Sequence, residues 1–181
     1  MSCLSASLTG FWSHALGHKI AQPVVVAPAA ASVPSSCRGA VARSTAFTCT
    51  TDATVYLTAP YVAKLRTAAP RSDAPYRFAA TLGHEMGHVV QIAQRAPLID
   101  KEHPTLAESR AIEQQADCLS GVWAASVGIP DSRFVAAVDQ VLQIVDSPVE
   151  RATHGTPAAR IRAVERGQQG GTPQSCGLTP R

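Results

Sequence analysis

At 181 residues the chain is long enough for one ordinary domain with its own core, and a composition 45% hydrophobic and 16% charged excludes wholesale disorder. No apolar run reaches the roughly 18 residues of a membrane span. The net charge is +3 and the arginines are scattered, which leaves no electrostatic footprint for nucleic-acid binding.

Residues 3–18 set Leu4, Leu8, Phe11, Trp12 and Ala15 on a stripe of period 3.6 and predict an amphipathic helix ending near Gly17. His14 and His18 stand four apart at its end. They could share an ion, but with no acidic or thiol neighbour they read as a solvated helix end. After Pro23, Val24-Val25-Val26 predicts a short buried strand, and residues 28–36 read as a Pro/Ser/Ala loop. Thr54-Val55-Tyr56-Leu57-Thr58, stopped by Pro60, predicts a short strand at a sheet edge. A helix follows over about 73–95, with Asp73 as N-cap, Pro75 in its first turn and Pro97 as its stop. Further helices are expected over about 105–127, closed by Gly128 before Ile129-Pro130, over about 131–145, and from Thr156-Pro157 to near Gly167. The pattern predicts a single α+β domain over 1–181, with its core at about 20–168. A small N-terminal sheet or hairpin precedes a mainly helical body, and an irregular tail covers 169–181.

The chemistry sits in the 73–95 helix. His84-Glu85-Met86-Gly87-His88 is a His-Glu-x-x-His pattern, and on a helix two histidines four apart project from one face and can reach one ion. With 6 His among 181 residues the pattern arises by chance in under about 1% of shuffled chains, so it outweighs the lone histidines elsewhere. Zinc in a hydrolase keeps three protein ligands and an open position. Glu113, on the next long helix, is the candidate third ligand. Asp117, four residues on and sharing its face, is the candidate partner for the second ring nitrogen of a ligating histidine. Thr153-His154-Gly155-Thr156-Pro157 sets His154 just before a helix, with Arg160 in that helix's first turn. Either could donate to the oxyanion of a tetrahedral intermediate, a contact worth roughly 2.7–4 kcal/mol.

Cys3, Cys37, Cys49, Cys118 and Cys176 form no Cys-x-x-Cys pair and favour disulfides in an oxidising compartment. The start Met1-Ser2-Cys3-Leu4 shows no signal peptide, so a cytoplasmic location with reduced thiols stays open.

Three segments together resemble the bacterial putative neutral zinc metallopeptidase family: His84 through Gln91, Gln115 through Ala124, and His154-Gly155-Thr156 followed by Arg160. The likeness extends upstream to Cys37-Arg38-Gly39, Phe47-Thr48-Cys49 and Val55-Tyr56-Leu57, and downstream to Cys176. The layout is also similar to gluzincin peptidases, including membrane-embedded CAAX-prenyl-protease relatives whose membrane helices are missing here. The resemblance implies a zincin-like fold, one zinc ion on His84, His88 and Glu113, and Glu85 as general base. It further implies Asp117 and Arg160 behind the ligands, His154 as transition-state donor, and a peptide or protein substrate. It implies disulfides Cys37–Cys49 and Cys118–Cys176, with Cys3 left over, and a leading or anchoring portion outside this sequence. The sequence by itself allows fifteen pairing schemes. Thr48, where the family shows an aromatic, and Val145-Asp146, where it shows Gly-Asp, are departures that bear on loop detail and substrate preference. A catalytically silent zinc-binding module is the alternative reading, and hydrolysis of a non-peptide amide differs from the first only in substrate.

Overall fold

A computed structural model describes residues 2–21, 24–27, 33–34, 37, 46–96, 99 and 103–179. The described chain is a mainly helical α+β fold. Helix α1 (Ser2–Leu16) buries Leu8, Trp12 and Leu16 and ends at Gly17, whose φ of +70° suits a residue without a Cβ. Three strands follow, β1 (Val24–Ala27), β2 (Ala46–Cys49) and β3 (Thr54–Thr58), then α2 (Ala59–Thr67), α3 (Ala74–Ala93), α4 (Leu106–Ser126), α5 (Asp131–Val145), α6 (Pro148–His154) and α7 (Pro157–Gly170). Short 3-10 turns lie at Arg71–Asp73 and Pro173–Cys176. No helix among the described residues is long and apolar enough to cross a membrane.

The core is a continuous cluster in which Trp12, Leu57, Leu65, Leu82, Met86, Leu119, Trp123, Phe134 and Val164 meet. Helices α3 and α4 cross where Gly87 faces Ala116, and a Cβ on Gly87 would come within 2.7 Å of the Ala116 Cα and carbonyl oxygen. That close approach brings the motif face of α3 against the Glu113–Asp117 face of α4. On the other side of α4, Gly167 of α7 packs so near the Cys118 carbonyl that no side chain fits. A capping box, Thr105 with Glu108, fixes the start of α4.

Both sheet expectations need correction. The sheet order is β1-β3-β2, with β1 parallel and β2 antiparallel to β3. The 54–58 strand is therefore central, buried over Thr54 to Leu57, because Pro60 falls in the first turn of α2 rather than in the strand. Among the described strands the 24–26 strand is an edge instead, with Val25 and Val26 exposed. An edge position would have let a substrate add to Val55-Tyr56-Leu57, and with both edges of β3 paired it cannot.

Other boundaries shift for local reasons. Asp73 stands at the N-cap of α3 without capping it, since its carboxylate accepts from Gln140 and pairs with Arg133. His154 does stand just before α7, whose first turn holds Arg160, but it also ends a helix of its own, α6, which Ser147 caps, and Gly155 (φ +96°) separates the two. Helix α7 runs past Gly167 to Gly170, and the expected irregular tail is folded back by a Cys118–Cys176 disulfide that leaves Cys176 and Leu178 buried. Cys37 and Cys49 form the second disulfide, and Cys3 is free and exposed. Pro23, Arg38, Gly39, Pro97 and all of the 28–36 loop but Val33 and Pro34 lie outside the described residues.

Candidate metal centre

His84 and His88, one turn apart on α3, and Glu113 on α4 each offer a ligand atom, all within 4.8 Å of one another. Glu113 Oε2 lies 3.2 Å from His84 Nε2, 3.3 Å from His88 Nε2 and 3.2 Å from His154 Nε2. It nonetheless has no hydrogen-bond partner although it is buried. Ion-pair distance and the missing hydrogen bond disagree only superficially, because ring nitrogens can crowd an oxygen without aiming a proton at it.

The far side of each ring shows why the Nε2 atoms converge. His84 Nδ1 is 2.8 Å from Asp117 Oδ1, so it donates there and leaves Nε2 with its lone pair facing inward. His88 Nδ1 is 2.9 Å from Gln91 Oε1, whose amide orientation is fixed because Gln91 Nε2 donates to the Ile112 carbonyl and to Gln115 Oε1. Gln115 in turn donates to the carbonyl of disulfide-bonded Cys176. On the rim, His154 Nδ1 is 2.8 Å from Thr153 Oγ1 and 3.2 Å from Glu150 Oε2, which turns its Nε2 toward Glu113.

Arg160 does not face the cleft. It is 8% exposed and closes on Asp117 with two hydrogen bonds, Nε to Oδ2 at 2.8 Å and Nη2 to Oδ1 at 2.9 Å. It braces the Asp117–His84 pair from behind. Glu85, 5% exposed, points between α3 and β2, where Thr48 Oγ1 donates to its Oε2 at 2.8 Å.

Burial and the neighbouring charges pull against one another throughout the centre. Burial alone would lower the His84 imidazole, yet the Asp117 carboxylate, followed by Glu113, raises it to about 10. Burial would raise Glu113, but the His88, His84 and His154 rings hold it well below the usual carboxylate range. Asp117 is likewise held low against burial by Arg160 and His84. His154, where burial dominates and the Arg160, His84 and His88 charges add to it against Glu113, falls to about 4. The two converging imidazole Nε2 atoms and the orphaned carboxylate oxygen fit zinc, whose usual donors they are. The only other clustered donors among the described residues are Cys37, Cys49 and Asp52, and there two of the three are joined in a disulfide.

Two openings flank the centre. A cleft of about 380 Å³ runs past His84, Glu85, His88 and Glu113, between Ala46–Phe47–Thr48 of β2 and Val149, Glu150, Thr153 and His154 of α6. A deeper cavity of about 60 Å³ continues from Glu85 and His154 to Val138, Val141, Leu142 and Val145 of α5, with Tyr61 and Ala80 behind.

Sequence reasoning missed Gln91, Glu150 and Thr48. Gln91 and Glu150 carry a readable signal, lying three residues after His88 and four before His154 on the same helical faces. Thr48 carries none, because it reaches Glu85 from a strand 37 residues away.

A family model described as putative neutral zinc metallopeptidase matches residues 8–143, well over half of the chain. The match takes in the His84–His88 motif, Glu113 and Asp117 and ends before His154, Arg160 and Cys176. No curated protein and no solved structure matches the chain.

Proposed function

This chain belongs to the putative neutral zinc metallopeptidase family, and from that premise we propose that it is a zinc-dependent endopeptidase, folded as one domain over 1–181, that works outside the cytoplasm. The observation that carries the reading is the convergence of His84 Nε2, His88 Nε2 and the orphaned Glu113 Oε2. Two disulfides support an oxidising compartment.

His84, His88 and Glu113 would hold the ion, with Asp117 and Gln91 fixing the two ring orientations and Arg160 fixing Asp117. Bound there, zinc would polarise a peptide carbonyl and lower the pKa of a water from about 15.7 to about 7. Glu85 would take the proton from the attacking water and return it to the leaving amine, so that the carboxylate would end each turnover unprotonated. His154, steadied by Glu150 and Thr153, is the donor to the oxyanion when its Nε2 bears a proton. The extended substrate would lie in the cleft along β2, the strand beside the centre that pairs with β3 alone among the described strands. An apolar side chain next to the scissile bond would enter the α5 cavity.

Glu85→Gln tests the reading. The variant should bind one zinc per chain, as the wild type does, and lose about 10²–10⁴-fold in kcat on an unfolded protein substrate. Full zinc with no cleavage by either protein across a broad peptide library would favour a silent zinc-binding module, and absence of zinc from both would refute the ligand set.

A further inference from the structure

We propose that Thr48 is a positioning residue for Glu85: its hydroxyl, carried on the strand that walls the cleft, holds the carboxylate where it meets the attacking water. The inference rests on the reading of Glu85 as base.

Thr48 Oγ1 lies 2.8 Å from Glu85 Oε2 and 2.9 Å from the Glu85 carbonyl oxygen. Among the described residues no other group hydrogen-bonds that carboxylate. A hydroxyl has one proton to give and lone pairs to accept with. While Glu85 is a carboxylate, Thr48 donates to Oε2. Once Glu85 holds the proton taken from water, the hydroxyl can turn to the Glu85 carbonyl and accept from the new acid. The contact therefore persists through both stages without Glu85 changing rotamer, and the Thr48 O–H bond never breaks.

The anchorage of Thr48 is stiff. Its β-branched side chain restricts χ1. The residue pairs in register with Val55 of the central strand, and the next residue, Cys49, is disulfide-bonded to Cys37. The same strand borders the cleft, so the element along which we lay the substrate also aims the base. Misplacement of a reacting group by about 1 Å costs on the order of 10²-fold in rate, so losing the clamp should be visible in turnover.

The test compares zinc-loaded wild type with Thr48→Val, which keeps the shape without the hydroxyl, with Thr48→Ala as a second hydroxyl-free variant, and with Thr48→Ser, which restores the hydroxyl. The expected result is a fall in kcat of about ten- to hundredfold in Val and Ala with KM within about twofold, and recovery of most of kcat in Ser. Zinc content and thermal midpoint should stay near wild type. A crystal structure of Thr48→Val should show the Glu85 carboxylate displaced. An unchanged kcat in Val and Ala, a rise in KM with kcat intact, or a Ser variant as slow as Val would each overturn the proposal. Glu85→Gln measured alongside separates the two claims: if it keeps full activity the base reading itself fails, whatever Thr48 does.

Discussion

The floor and the rim of the metal centre are built differently. The floor is the α3–α4 crossing, where His84, His88, Glu113 and Asp117 sit on facing helices pressed together at Gly87, and each ligating ring is tied from behind, His84 to Asp117 and His88 to Gln91. The rim comes from separate elements, Thr48 on β2 and His154 on the short α6, which reach Glu85 and Glu113 from outside that crossing. On the proposed reading this is a division of labour: the floor would hold the ion, while the rim would aim the base and face the substrate. Changes to the floor should lower zinc occupancy, and changes to the rim should lower turnover with zinc retained.

The largest expected effect lies on the rim. His154→Ala should reduce kcat by about 10²–10³-fold while the protein still binds one zinc per chain, as removal of an oxyanion donor does elsewhere. Metal analysis beside steady-state kinetics decides it. Loss of zinc from this variant would make His154 part of the floor and erase the distinction.

On the floor, Gln91→Leu removes the acceptor for His88 Nδ1 at similar volume and breaks the link through Gln115 to the Cys176 carbonyl. Zinc affinity should weaken by about 10–100-fold, read by competition against a chelator of known affinity, because partners behind ligating histidines tune affinity by that amount. At saturating zinc the kcat should stay close to wild type. A fall in kcat that zinc cannot restore would mean that Gln91 acts on the chemistry rather than on the ring.

The same division explains what could be read from the sequence. Helix periodicity is local, so spacing alone sets His84 and His88 on one face of a helix and Glu113 and Asp117 on one face of the next, and marks most helix boundaries, while the meeting of the two faces is an expectation carried by the family resemblance. What spacing cannot carry is pairing between distant segments. The central place of Thr54–Thr58 depends on strands 24–27 and 46–49 meeting it from both sides, which no property of Thr54-Val55-Tyr56-Leu57 announces. For Arg160 the residues alone suggest a donor into the cleft while the resemblance implies a place behind the ligands, and the packing of α7 against α4 sets its guanidinium on Asp117. The folded tail follows from a disulfide whose pairing local sequence leaves undetermined.

The α5 cavity extends the comparison to specificity, where the effect should be smallest. Val138, Val141, Leu142 and Val145 present one face of α5 to a space of about 60 Å³ that His84, Glu85, Asp117, His154 and Arg160 also line. A change on the α5 face alters none of those five side chains. Val141→Leu adds one methylene to that wall, and a methylene in an apolar pocket shifts discrimination by about tenfold or somewhat more. Preference should move from larger to smaller apolar side chains next to the scissile bond, measured as a ratio of kcat/KM on paired peptides, with zinc content unchanged. An equal loss on both peptides would show that the cavity is only part of the core, and the substrate side chain would then have to bind along the cleft by Val149 and Thr153.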